Sequence, residues 1–161
     1  MSPDFALALH TTTDYLEIAL GDLPGVDGSQ ANSGAYLTAV QSRSWLLGRE
    51  MSLKLHNCLQ EFMADRDWQN CQFITIAQGI GSYAGTRMGV VVARTLAQQL
   101  AIPLYGFGCE TIREYAQNKA LDNQAEALLQ LAFAKNLARS SKELESKSDW
   151  SSVLPLYAES V

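Results

Sequence analysis

Residues Phe73–Glu110 read FITIAQGIGSYAGTRMGVVVARTLAQQLAIPLYGFGCE. The stretch opens with a β-branched apolar run, Phe73–Ile76. A glycine-rich turn follows, Gly79-Ile80-Gly81-Ser82-Tyr83-Ala84-Gly85. The next residues predict a helix over Thr86–Leu100, which Pro103 stops before a second apolar run, Leu104–Phe107. Strand, glycine loop, helix and strand in this order form a parallel crossover. The loop then lies at the strand's C-terminal end, where ligands and partners usually bind in open α/β sheets.

Upstream, Phe5–Leu9 and Tyr15–Leu20 are short apolar runs joined by His10-Thr11-Thr12-Thr13-Asp14, and they read as an antiparallel hairpin. Gly21–Gly34 holds four glycines and one proline and reads as a long loop. Ala35–Val40 reads as a third strand. Three strands followed by alternating helix and strand predict an α/β fold with a mixed sheet and an antiparallel edge.

Arg49–Ala64 reads as an amphipathic helix with Met51, Leu55, Cys58, Leu59 and Phe62 on one face. Leu53 and Met63 lie off that face, either as scattered surface apolars or as a second contact surface. The helix over Thr86–Leu100 carries two stripes. Met88, Val92, Leu96 and Leu100 form one; Gly85, Gly89, Ala93 and Ala97 form the other, rotated by about 100°. Glycine within a helix costs up to ~1 kcal/mol relative to alanine. The small stripe therefore implies close backbone approach, either by the helix's own sheet or by another chain. The two stripes together are wider than one sheet contact, so a helix partner is expected on the remaining face. The candidate interface is Met51, Leu55, Cys58, Leu59 and Phe62 on the first helix, with Met88, Gly89, Val92, Ala93, Leu96 and Ala97 on the second.

Cys109–Lys119 reads as a short helix and Asn123–Arg139 as a longer one. Residues 140–152 are rich in serine and charge and read as a flexible connector. Val153–Tyr157 is a closing apolar segment. The whole of 1–161 reads as a single domain: 1–119 as sheet-and-helix core, 120–139 as a helix, 140–152 as the connector and 153–161 as the closing segment.

Composition narrows the function classes. Of 161 residues 47% are apolar and 18% charged, ordinary for a globular chain. A net charge of −5 argues against tight, sequence-independent RNA binding by this chain alone. No apolar run is long enough to span a bilayer, and Met1–Asp4 lacks the basic start of a signal peptide. Cys58, Cys71 and Cys109 are odd in number and widely spaced, as expected for reduced thiols in the cytoplasm.

The glycine loop offers Gly79, Gly81, Ser82, Gly85 and Arg87 as anion or nucleotide contacts. It is not a Walker A loop, because no lysine follows Gly85, and its G-x-G-x-x-x-G spacing misses the dinucleotide fingerprint by one residue. A purely structural tight turn explains the same glycines. His10 and His56 are the two histidines; with no HExxH, HxxxH or CxxC pattern, no metal site is expected. Ser82 does not sit in a G-x-S-x-G elbow, so no catalytic residue is assigned.

Gly79, Gly81, Ser82, Tyr83, Gly85, Arg87, Gly89, Ala93, Leu96, Ala97, Pro103 and Gly106 also match a known signature. The stretch resembles that of the bacterial TsaB (YeaZ) family, which typically reads GxGPGSFTGxRxGxxxAxGLA followed by xxPxxGVSxLE. FALALHTTTDYLEIAL at Phe5–Leu20 is similar to the family's LAIDTSTxxxSVAL opening. Arg49-Glu50-Met51-Ser52 is similar to R-E-H-S at the start of the family's first helix, and Val153–Tyr157 to its closing xxPxYLR.

The resemblance implies a ribonuclease H-like, actin-like ATPase (ASKHA) domain. It implies a non-catalytic role in making the tRNA modification N6-threonylcarbamoyladenosine, as partner of the catalytic paralogue TsaD through a helical bundle. A homodimer on the same surface is the other association it suggests. Contact with tRNA would be indirect, no cofactor is expected, and no membrane is involved. Departures are specific. His10 stands where the family has an aspartate suited to magnesium–nucleotide binding, Ile80 replaces the loop proline, and Met51 replaces a histidine. Ala158-Glu159 follows Tyr157 in place of the terminal arginine, and the second subdomain is missing between Lys119 and Asn123. The rival expectation is a nucleotide-binding ATPase or dinucleotide-dependent enzyme using the loop 79–85.

Overall fold

Both faces of Phe5–His10 are apolar except at its last residue, and this strand, β1, lies at the centre of the sheet in the computed structural model, which describes residues 3–25, 36–140 and 150–156. The other strands are β2 (Tyr15–Asp22), β3 (Thr38–Leu46), β4 (Cys71–Ala77) and β5 (Leu104–Phe107). They form one five-stranded sheet in the order β3-β2-β1-β4-β5. β1, β2 and β3 pair antiparallel, with Leu7 opposite Leu20 and Ile18 opposite Arg43. β4 joins β1 in parallel, Leu7 beside Ile74, and β5 joins β4 in parallel. The expected hairpin, crossover and mixed sheet are all present.

Among the described residues four helices cover the two faces: α1 (Met51–Phe62), α2 (Tyr83–Leu100), α3 (Cys109–Asn118) and α4 (Gln124–Ser140). Strand alternation separates two cores. Phe5, Leu7, Leu9, Leu16, Ile18, Leu20, Ile74 and Ile76 face α1 and α2. Ala6, Ala8, Ala19, Phe73 and Ala77 face α3 and α4. Alanine is a poor strand former on propensity alone. Here the alanines let α4 bring Ala125, Leu128, Leu129 and Ala132 down onto β1 and β2. Each Leu or Ile buried on either face stabilises by about 1.5–3 kcal/mol.

Several boundaries differ from the sequence expectation. β3 runs over Thr38–Leu46 rather than Ala35–Val40, and is exposed along nearly its whole length. It is an edge strand held by backbone pairing to β2, so the polar run Gln41–Ser44 carries no apolar signal of its strand character. α2 begins at Tyr83, not Thr86, because Ser82 caps it, its Oγ accepting from the Gly85 N–H at 3.3 Å. The helix ends at Ala101 in the left-handed conformation, just before Pro103. Met63, expected on the surface or in a second contact, is buried under the sheet, whereas Leu53 is 76% exposed.

The loop expected over Gly21–Gly34 and the connector expected over 140–152 lie mainly outside the described residues, as does the closing segment beyond Leu156. Of these ranges, Gly21 and Asp22 belong to β2 and Trp150–Ser152 form a short 3-10 turn. That turn packs on α2, and the Trp150 indole N–H donates to the Ile102 carbonyl at 2.7 Å. Among the described residues no helix is long and apolar enough to cross a membrane.

Candidate functional site: the threonine turn and the α1–α2 groove

The turn after β1 fastens three elements together. The Thr11 hydroxyl donates to the Gly85 carbonyl at 2.7 Å, and the Thr12 carbonyl accepts from the Ser82 N–H at 2.7 Å. Thr12 Oγ1 lies 3.1 Å from Cys109 Sγ at the start of α3. The glycines of the loop make room for this turn. A Cβ on Gly81 would collide with the Thr12 carbonyl, one on Gly85 with the Thr11 carbonyl, and one on Gly89 with Thr11 Oγ1. The small stripe of α2 therefore meets the chain's own β1–β2 turn and sheet.

This geometry uses three of the donors at the loop and the start of α2 internally. The N–H groups of Ser82, Gly85 and Thr86 already donate to Thr12, to the Ser82 side chain and to the Ser82 carbonyl. Gly79, at φ +114°, faces the Leu156 carbonyl of the closing segment. Leu156 N–H donates to the Gln78 carbonyl, and Gln78 Nε2 donates to the Leu154 carbonyl at 2.9 Å. The crevice beyond the carboxyl ends of β4 and β5 thus has Leu156 as a wall. The cleft that remains, about 410 Å³, lies between Gly79, Leu156 and the first turns of α3 with Glu110 and Arg113.

His10 ends β1 on the α3–α4 side and is buried, its Nδ1 without a hydrogen-bond partner. Burial, and then the Arg113 guanidinium, push its pKa down to about 4, so the imidazole is neutral at ordinary pH. Its cross-strand partner Glu17 has a pKa raised by burial, against the N–H groups of Gln124 and Ala125 that hold its charged form. Glu17 Oε2 accepts from the Gln124 N–H at 2.8 Å and so anchors the start of α4. The thiols are held as well: burial raises the pKa of Cys71 to about 12 and also raises that of Cys58. Among the described residues no group of three or more His, Cys, Asp or Glu side chains comes together.

A more apolar hollow lies elsewhere, between α1 and α2. It is a groove of about 730 Å³. Its apolar walls are Leu59, Ala84, Met88, Val91, Val92 and Leu96, with Tyr83, Thr95, Ser52, His56 and Arg87 completing the lining. The candidate interface residues divide here. Met88, Val92 and Leu96 are half-buried and line the groove, and Leu59 forms its floor. Met51, Leu55, Cys58, Gly89, Ala93 and Ala97 are buried in the chain's own core and do not line the groove. Phe62 turns toward the sheet edge, its ring edge-on to Trp45 at 6.3 Å. Arg87, expected at the loop mouth, lines the groove one turn into α2.

The stripe that sequence reasoning missed is Tyr83, Arg87, Val91 and Thr95, one position ahead of Met88. Tyr83 is 62% exposed and Val91 53%. Their four-residue spacing was visible, but a helix start placed at Thr86 left Tyr83 outside the helix and hid the stripe.

A mixed sheet in this order with helices on both faces defines a ribonuclease H-like fold. Solved structures with that fold are similar to this chain. A Pseudomonas aeruginosa protein described as similar to the peptidase YeaZ superimposes with a TM-score of 0.58 at 20% identity, over 74% of this chain and 49% of its own. Pseudomonas aeruginosa YeaZ gives 0.56 at 19% identity, over 73% and 50%. Thermus thermophilus RuvC gives 0.55 at 9% identity, over 83% of this chain and 96% of its own. The chain thus spans about half the length of the YeaZ structures. No protein-family model and no curated protein sequence matches it.

Proposed function

We propose that this chain is a non-catalytic scaffold that docks a TsaD-like catalytic partner through the α1–α2 groove and so supports threonylcarbamoylation of tRNA. The observation that carries the reading is the groove itself. An apolar hollow walled by Met88, Val91, Val92 and Leu96 is left open after both helices have covered the sheet. Exposed apolar surface of this kind marks protein contacts. The class of partner is the one implied by the glycine-loop signature, and the likeness to YeaZ structures is consistent with it. The net charge of −5 favours reaching tRNA through that partner rather than directly.

The rival nucleotide reading is less well supported. Gly81 and Gly85 accommodate Thr12 and Thr11, the N–H groups of Ser82, Gly85 and Thr86 have partners, and a neutral imidazole stands where a magnesium-binding carboxylate would be needed. Calorimetry of the purified chain with a purified TsaD-like paralogue tests the proposal. Saturable binding that Val91→Asp weakens at least tenfold is expected. No binding, or binding indifferent to Val91→Asp, would remove the docking role. Micromolar affinity for Mg-ATP in a parallel titration would promote the nucleotide reading.

A further inference from the structure

One formally charged side chain, Arg87, lines the groove, and no aspartate or glutamate does. Arg87 makes no salt bridge among the described residues. Of the acidic residues nearby, Glu50 holds Lys54 at 2.8 Å, Glu61 holds Arg43 at 3.0 Å, and Asp14 lines an adjoining cleft rather than the groove. The N-terminal ends of α1 and α2 both reach the groove, at Ser52 and at Tyr83–Ala84, and their dipoles add positive potential there. This basic end belongs to a chain whose net charge is −5, so it does not reflect overall composition.

Resting on the docking role proposed above, we infer that the groove selects an amphipathic helix whose apolar stripe is flanked by carboxylates where it crosses Arg87, and that it selects against a second copy of this chain. A two-fold contact between two such grooves brings the same patch to both sides. Neither side then offers a carboxylate from the groove lining, and each Arg87 is desolvated without one. A helix bearing glutamates beside its Leu or Val stripe fills the same hollow and pairs the guanidinium.

Three helical peptides with one shared apolar stripe and Glu, Gln or Lys flanks test this by fluorescence anisotropy at low and high salt. The Glu peptide should bind about tenfold tighter than the Lys peptide at low salt, the ratio that a pair or two of exposed charges supplies. High salt should shrink that ratio. Arg87→Glu should reverse it; Arg87 is exposed, and circular dichroism checks that the variant folds. Sedimentation of the chain alone should show a monomer at micromolar concentration. Equal binding by all three peptides would overturn the charge selection and leave the docking role standing. Failure of all three to bind would remove both. A stable dimer abolished by Val91→Asp would overturn the discrimination against self.

Discussion

Gly89→Ala should be destabilising, although alanine normally strengthens a helix by up to ~1 kcal/mol at such a site. The added methyl would meet Thr11 Oγ1 and Cβ, which the β1–β2 turn holds in place. Overpacking of this kind costs about 1–3 kcal/mol. Urea unfolding should show the loss, and Thr11→Gly in the same chain should recover part of it. A neutral or stabilising Gly89→Ala would mean that the turn yields. His10 gives a second test at this scale. Its pKa is about 4 in the folded chain against 6.5 for the free side chain. The folded state therefore binds fewer protons than the unfolded state between these values. The His10 contribution to stability is complete above pH 6.5 and is lost as pH falls through 4, about 3 kcal/mol in all. As the pH falls over that range, wild type should lose stability relative to His10→Phe, whichever of the two is the more stable at neutral pH. Parallel pH profiles would refute the shift.

Among the elements, α2 has the most defined start. Ser82→Ala removes the oxygen that accepts the Gly85 N–H and should cost about 1 kcal/mol, with hydrogen exchange rising at the first turn of α2. Unchanged protection there would show that the Thr12 carbonyl alone holds the loop. The elements were legible in the sequence where apolar period and turn chemistry agreed. β1, β2, β4, α1 and α3 followed from alternation, helical stripes and glycine or proline punctuation. β3 was expected too early, at Ala35–Val40, because an exposed edge strand needs no apolar alternation and Gln41–Ser44 show none. The small stripe of α2 was visible as a demand for close packing, but a sequence does not say which backbone approaches. The threonine turn, which answers that question, gives no sign of its partner beyond three hydroxyl side chains in a row.

For the molecule as a whole, the sheet divides the core into two layers that share few side-chain partners. Leu55→Ala in the α1–α2 layer and Leu128→Ala in the α4 layer should each cost about 2–5 kcal/mol. Their costs should add to within about 0.5 kcal/mol in the double variant, measured by urea unfolding. A large coupling energy would show that the layers communicate through β1. The antiparallel meander and the parallel pairing of β4 with β5 were legible from the order of strands and helices, but the place of β4 beside β1 was not. The groove was half legible: Met88, Val92 and Leu96 showed as a stripe, but burial of Gly89, Ala93 and Ala97 depends on how α2 is rotated over the sheet.

The position of β1 also orders events during synthesis. β1, β2 and β3 pair through neighbouring turns, so the antiparallel meander has its partners once Leu46 has left the ribosome. The central strand then still presents one free hydrogen-bonding edge, because its parallel partner Cys71–Ala77 has not been made. Both of its apolar faces await helices as well, since α1, α2 and α4 all follow β3 in the chain. An unpaired strand edge with apolar faces is the kind of surface on which nascent chains stick to one another. Slower translation between β3 and β4 lengthens that interval. Its consequence is a lower yield of native protein, with every contact of the molecules that do fold left intact.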